Sequence, residues 1–265
     1  LTMTATPIPR TLYMSMTGLR DLSPIMTPPE MRLPIKTTIC QFDTETIKSA
    51  IVAELERSGQ VYYLHNRVQS IYKTCEKLKE LVPSANFATA HGQMNEHELE
   101  RIMLAFLEGK IDVLVCTTII QSGIDIPNAN TIIIERADRF GLAELYQIRG
   151  RVGRWTRQAY AYLLLPENVV LEGNVRERIA AIRKYTHLGA GFRLALRDLE
   201  IRGVGNLLGH EQSGHINDIG FELYCDLLKK EVMRLKGENV KSNPESDIKI
   251  DFLDYAFETT KNRLP

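Results

Sequence analysis

Asp112-Val-Leu-Val-Cys-Thr117 is a run without alternation, followed at once by Thr118-Ile-Ile-Gln-Ser-Gly-Ile-Asp-Ile-Pro127. A strand with one wet face alternates apolar and polar side chains, whereas one covered on both faces is continuously apolar. Residues 112–117 therefore predict a strand of a parallel sheet buried on both faces, and the polar phrase after it predicts a loop at the carboxyl end. Cys116 falls inside the run and is expected in the core. Working outward, short β-branched stretches recur at Lys36–Cys40, Val61–His65 and Phe87–Ala90 upstream, and at Thr131–Glu135 and Ala159–Leu165 downstream. Helical periods separate them. Ile47, Ile51 and Leu55 follow a cap at Asp43 and stop at Gly59; Val68, Ile71, Cys75, Leu78 and Val82 end at Pro83. Leu99, Ile102, Met103 and Phe106 follow Asn95, with Glu98 three residues beyond it as a capping pair. A short helix lies between the last two strands. This alternation predicts an α/β fold of right-handed βαβ units, an open parallel sheet flanked by helices. Functional loops in such sheets gather beyond the strands' carboxyl ends, here after His65, Ala90, Thr117 and Glu135.

Past Pro166 the strands give way to helices. Ile179, Ile182, Tyr185 and Leu188 mark one, Phe192–Ile201 a second, and a glycine-rich stretch, Gly203–Gly214, leads to a third with Phe221, Tyr224, Leu227 and Leu228. Residues 237–247 read as a polar linker, and Ile248–Phe252 as one last strand. Leu1–Thr6 reads as the middle of a buried strand, so the chain is expected to be part of a longer protein. Its 265 residues, 44% hydrophobic and 25% charged, have the composition of a globular protein. No apolar run approaches the ~18 residues that span a bilayer, and no signal-peptide pattern opens the chain. Cys40, Cys75, Cys116 and Cys225 are far apart with no CxxC pair, which fits reduced thiols in a cytoplasm and predicts no metal site. Charge is balanced, 33 basic against 33 acidic residues, but Gln147–Arg202 holds eleven Arg or Lys against five Asp or Glu. That excess is either a basic surface or a solvated helical face.

Gln147-Ile-Arg-Gly-Arg-Val-Gly-Arg154 places three arginines within six residues. Their planar guanidinium forks grip phosphate oxygens bidentately and do not lose their charge. The string matches QxxGRxGR, motif VI of helicase superfamily 2, at every specified position. Thr117–Pro127 resembles motif V of the same superfamily, some 30 residues upstream; alone it could equally be an ordinary strand-to-helix turn. Tyr62–Arg67 corresponds to motif IV and His91-Gly-Gln-Met94 to the loop after the next strand. His91 is either a phosphate contact or a capped structural histidine. Thr4-Ala-Thr6-Pro7 resembles motif III, and the longer TATPIPRTL is the form found in RecG and the transcription-repair coupling factors (Mfd). Asp198-Leu-Glu-Ile-Arg-Gly203, continuing through Gln212-Ser-Gly214, resembles the helical-hairpin translocation motif those two families share.

The resemblance runs from Leu1 to about Leu235. CTTIIQSGIDIPNANTIIIERADRFGL and IGFELYCDLL favour the coupling factors over RecG. Two positions depart from the pattern: Gln121 stands where Glu is expected, and Trp155 where a small polar residue is expected. The resemblance implies a RecA-like second motor lobe over 30–165, a hairpin coupling hydrolysis to translocation over 166–236, a linker and extension over 237–265, and the tail of a first lobe over 1–29. It implies ATP with Mg²⁺, the metal ligands and phosphate-cradling loop belonging to a first lobe; no GxxxxGK[ST] occurs in the chain. Arg151 and Arg154 are then catalytic arginine fingers, with Gly123, Asp125 and Gln147 near the nucleotide. Asn66, Arg67, His91, Thr117 and Thr118 would touch DNA, and Thr4, Thr6, Arg202 and Gln212 would serve coupling. The implied partners are double-stranded DNA and, through regions outside the chain, RNA polymerase and UvrA, with no membrane and a cytoplasmic, bacterial setting. The implied activity is displacement of stalled RNA polymerase, coupling transcription to nucleotide excision repair. The alternatives are a RecG-type replication-fork helicase, decided by a wedge domain before the motor, and a DNA-binding module with no activity in isolation, decided by ATPase assay.

Overall fold

The structure is a computed structural model that describes residues 33–119, 125–153, 157–167, 171–185 and 189–202, with a few isolated positions elsewhere. Six strands, β1 (Lys36–Gln41), β2 (Gln60–Leu64), β3 (Phe87–Ala90), β4 (Val113–Cys116), β5 (Ala129–Ile134) and β6 (Tyr160–Leu165), form one sheet in the order β1-β6-β5-β2-β4-β3. Every pairing is parallel. Helices α1 (Thr44–Glu56), α2 (Val68–Leu81), α3 (Glu96–Leu107) and α4 (Leu142–Arg149) cover it, and α5 (Gly173–Lys184) and α6 (Gly191–Arg202) follow and pack on each other.

The apolar run at 112–117 is the strand between β2 and the edge strand β3, and all four residues of β4 are buried. The pleat sends alternate side chains to opposite faces. Tyr62, Leu64, Leu114, Cys116, Ile132 and Ile134 join Phe106 and the α4 residues Leu142, Leu145 and Ile148 in one layer. Val61, Tyr63, Val113, Val115 and Ile133 meet Ile47, Ile51, Ile71 and Leu78 of α1 and α2 in the other. Each fully buried Leu or Ile contributes about 1.5–3 kcal/mol, so these two layers supply most of what holds the sheet. Burial pushes the Cys116 thiol far up, leaving it a small apolar core residue.

Local signals place the helices. Asp43 accepts from the Glu45 and Thr46 amides at 3.3 and 2.9 Å, and Asn95 accepts from the His97 amide at 3.0 Å. Buried Glu54 accepts from Arg57 and from the Thr131 hydroxyl, tying α1 to β5.

Of Leu1–Thr6, read as a strand belonging to a first lobe, only Met3 and Thr4 are described, and both are exposed and lie in no strand. A strand needs a ladder partner, and no strand of the sheet pairs with them. The helix read through Tyr185 and Leu188 ends at Lys184, with the Tyr185 amide donating to Ala181; Leu188 lies outside the described residues. So do the glycine-rich stretch, most of the third helix and the strand at 248–252; of the third helix, Lys230, Glu231, Arg234 and Leu235 are described and are helical.

Candidate functional site

Parallel strands bring all their carboxyl ends to one rim of the sheet. The amide of Thr117 donates to Ala90, that of His65 to Cys116, and that of Glu135 to Leu64, at 3.2, 2.8 and 3.0 Å. The loops after β3, β4, β2 and β5 therefore sit side by side in that order. His91, Thr117 and Thr118, then Asn66 and Arg67, fall on this one rim although they are spread over more than fifty residues of sequence.

Their exposures differ. Asn66 and Arg67 are exposed, Thr118 is half-buried, and Thr117 is buried. His91 is only 6% exposed, and its Nε2 lies 3.0 Å from the Tyr72 hydroxyl. Its Nδ1 is buried with no hydrogen-bond partner. The ring is thus part of the fold, and the exposed part of that loop is the turn at Gly92 and Gln93.

Between the ends of β2 and β5 the rim opens into a cleft of about 260 Å³, lined by Asn66, Arg67, Arg136 and Arg139, with His65 and Glu135 among its other walls. After β2 the chain turns toward β3, and after β5 it turns the other way, toward β6. Such a reversal of direction is where open α/β sheets form their crevice. Beneath it, His65 Nδ1 lies 2.6 Å from Glu135 Oε2 and its Nε2 lies 2.7 Å from Ser70 Oγ, while the Tyr63 hydroxyl donates to the same carboxylate at 3.2 Å. Burial first, and then the Glu135 charge, push the Tyr63 hydroxyl well above its ordinary range.

The motif VI residues leave from α4. Gln147 is exposed on its last turn, and Arg151 is half-buried in the turn that follows, its amide donating to Ile148 at 3.0 Å. Gly153 has φ +72°, and a Cβ there would stand 2.8 Å from the Ala159 side chain and 3.2 Å from Ile35. Glycine is required at this point of the motif on both counts. Asp125 is exposed at the start of the segment leading to β5. Gly123, Arg154, Thr6 and Gln212 lie outside the described residues, as does the side chain of Arg202, whose backbone ends α6; Thr4 is exposed, far from any strand in sequence. A nucleotide phosphate calls for N–H donors, and the guanidinium of Arg151 and amide of Gln147 are of that kind.

Two arginines outside that reading matter to the architecture. Arg149 is 4% exposed, with Nη1 and Nη2 donating to the Ile182 and Tyr185 carbonyls at 3.3 and 3.0 Å, at the C-terminal end of α5. Its guanidinium carbon sits 4.9 Å from the Tyr146 ring centre, and burial lowers its pKa. The signal was in the spacing: Leu142, Leu145 and Arg149 share the inward face of α4. Arg178 of α5 donates to the Asp138 carbonyl at 3.1 Å, joining the same helix to the turn after β5.

Comparison with known proteins gives this arrangement a family. Residues 44–156 match the helicase conserved C-terminal domain. A transcription-repair-coupling factor of Staphylococcus epidermidis is 55% identical over 251 residues, which is 95% of this chain and 22% of that protein. One of Staphylococcus aureus is 53% identical over the same shares. A solved structure of RecG bound to a three-way DNA junction matches with a TM-score of 0.61 and 32% identity, over 84% of this chain and 30% of that one. The chain belongs with the transcription-repair-coupling factors and carries a helicase C-terminal lobe of superfamily 2. Its sheet is the RecA-like sheet of that lobe, with α5 and α6 appended through α4. The chain spans 22% of the length of the coupling factors it matches. No helix among the described residues is long and apolar enough to cross a membrane.

Proposed function

We propose that the chain is the second motor lobe of an ATP-dependent double-stranded DNA translocase that displaces stalled RNA polymerase and couples transcription to nucleotide excision repair. The observation that carries this reading is the 55% identity to a transcription-repair-coupling factor across 95% of the chain, against 32% to RecG. The motor lobe occupies 30–165 and the coupling hairpin 166–236, with 1–29 closing a first lobe and 237–265 extending beyond the motor. RNA polymerase and UvrA are met through regions outside this chain, in a bacterial cytoplasm.

ATP, with Mg²⁺ held by a first lobe, supplies the phosphoanhydride whose cleavage drives lobe movement. Gln147, Asp125 and Gly123 border the nucleotide. Arg151 and Arg154 neutralise charge that develops as the terminal phosphoryl group leaves, an effect worth roughly 10³–10⁵ in rate. The rim of the sheet follows the DNA: Asn66, Arg67, Thr117, Thr118 and the His91 loop contact the sugar-phosphate backbone, which positions a translocase without reading sequence. Thr4 and Thr6 on one side and Arg202 and Gln212 on the other link hydrolysis to movement. The Arg149 tie supports such a link, because it fastens the motif VI helix to the first helix of the hairpin.

A clean preparation of residues 1–265 is expected to show no DNA-stimulated ATP hydrolysis, since the arginines act on a nucleotide that a first lobe holds. Joined to that lobe, the same chain should hydrolyse ATP and displace a DNA triplex. DNA-stimulated turnover by the chain alone would overturn the two-lobe reading.

A further inference from the structure

The cleft between the carboxyl ends of β2 and β5 brings together residues that motif spacing does not unite. Asn66 and Arg67 come from the turn before α2, while Arg136 caps and Arg139 ends a 3-10 turn, Ala137–Arg139, that follows β5. The lining thus holds three guanidinium groups and one carboxylate, that of Glu135. The Glu135 carboxylate is held by His65 Nδ1 and the Tyr63 hydroxyl, and the Asp138 carboxylate by Arg136, so the three guanidinium groups outnumber the two carboxylates by one.

Arg136 is held in place at a cost. Its backbone is left-handed, with φ 56° and ψ 50°, a region that non-glycine residues enter at about 1–3 kcal/mol. Its side chain forms a two-pronged pair with Asp138, Nε to Oδ1 at 2.9 Å and Nη2 to Oδ2 at 2.7 Å. Asp138 is held in turn, because its carbonyl accepts from Arg178 of α5. The pair uses two of the five N–H groups of the guanidinium, so three remain for another oxygen. Arg67 and Arg139 are exposed. A strained, pre-set arginine beside two exposed ones, over a carboxylate that is bound elsewhere, is a receptor for a compact anion with several oxygens.

We propose that this cleft binds a backbone phosphate of duplex DNA, with Arg136 and Arg139 as DNA ligands alongside Arg67. This rests on the reading of the rim as a DNA track, and extends that track one strand further, onto β5. The row then runs from the β3 loop through β4 and β2 to β5, and its last member is the turn that Arg178 ties to the hairpin. A phosphate seated there is in contact with the loop that α5 touches.

The test is nuclear magnetic resonance titration of the 265-residue chain with a short duplex DNA, and in parallel with ATP and with a polyglutamate peptide. Duplex DNA is expected to shift the resonances of Asn66, Arg67, Arg136 and Arg139 together. Arg139→Gln should weaken DNA binding about three- to tenfold and reduce the slope of log affinity against log salt by about 0.9, the signature of one lost phosphate contact. Arg139→Lys, which keeps the charge, should restore most of both. Arg136→Lys gives a second variant that retains charge but loses the two-pronged pair, and should weaken binding with the salt slope nearly unchanged. DNA shifts confined to the His91 and Thr117 loops would overturn the cleft assignment and leave the DNA-track reading standing. Cleft shifts with ATP or polyglutamate but not DNA would also overturn it. If duplex DNA moves no resonance of the chain, both the cleft and the track fail.

Discussion

In β4, Val113, Leu114, Val115 and Cys116 are sealed between two apolar layers, whereas α5 is fastened at its C-terminal end by a cation. Apolar burial has no direction and is spread over dozens of contacts, so the sheet yields as a unit. The Arg149 tie is directional and ends on two carbonyls, with Ile179, Ile182, Leu194 and Ile201 as the apolar part of the same junction. Those apolar residues belong to the same cluster as one face of the sheet, so the junction is continuous with the core at the periphery, where local opening is expected to cost less than unfolding of the sheet. On the proposed motor reading, the difference separates the part that keeps its form from the part that moves.

The largest expected effect breaks the sheet. Leu114→Ala removes a fully buried side chain from the central layer and should cost about 2–5 kcal/mol, read as a shift of the denaturant midpoint for the whole lobe. A loss under about 1 kcal/mol would mean the layer is not packed as described.

Arg149→Met is expected to cost less, about 1–3 kcal/mol, mostly from leaving two carbonyls without their donor. Its pattern matters more than its size. Hydrogen exchange should lose protection in α5 and α6 while the amides of β2, β4 and β5 stay protected. Equal loss across the sheet would erase the distinction drawn between the two regions.

The sheet was legible because its signal is local. Unbroken apolar runs at 113–116 and 132–134, and helical periods between caps such as Asp43 and Asn95, each follow from neighbours in sequence. Motif VI and its glycine were legible for the same reason, and Gly153 shows why no other residue fits there. Arg149 was passed over, since three arginines in one motif invite the same reading, although its spacing from Leu142 and Leu145 sets it on the inward face of α4. The cleft was not legible, because Arg67 and Arg136 meet only through the pairing of β2 with β5. His91 read equally well as a ligand or a structural residue, and its burial against Tyr72 decides how its ring is held.

The smallest effect sharpens the comparison at the turn joining the two regions. Hydrogen bonds from Arg136 hold the Asp138 carboxyl below its ordinary value of 3.8. A carboxyl lowered in the folded state stabilises above that ordinary value, and the contribution is lost as pH falls through the lower folded value. Because Arg136 is 40% exposed, solvent screening keeps the effect below about 1 kcal/mol. Asp138→Asn should therefore flatten the acid limb of the stability curve slightly and leave stability near neutral pH lower by that amount. An unchanged acid limb would mean the pair contributes nothing to holding the turn.

The central claim, that this lobe completes an ATP site with arginine fingers, is tested most directly by Arg154→Ala in the protein that joins the lobe to its nucleotide-binding partner. Steady-state hydrolysis and equilibrium ATP binding are measured on the same preparation. Because the side chain acts on charge that appears only in the transition state, turnover should fall by roughly 10³-fold or more while ATP affinity stays within about tenfold. Turnover at the unmutated rate would contradict the assignment.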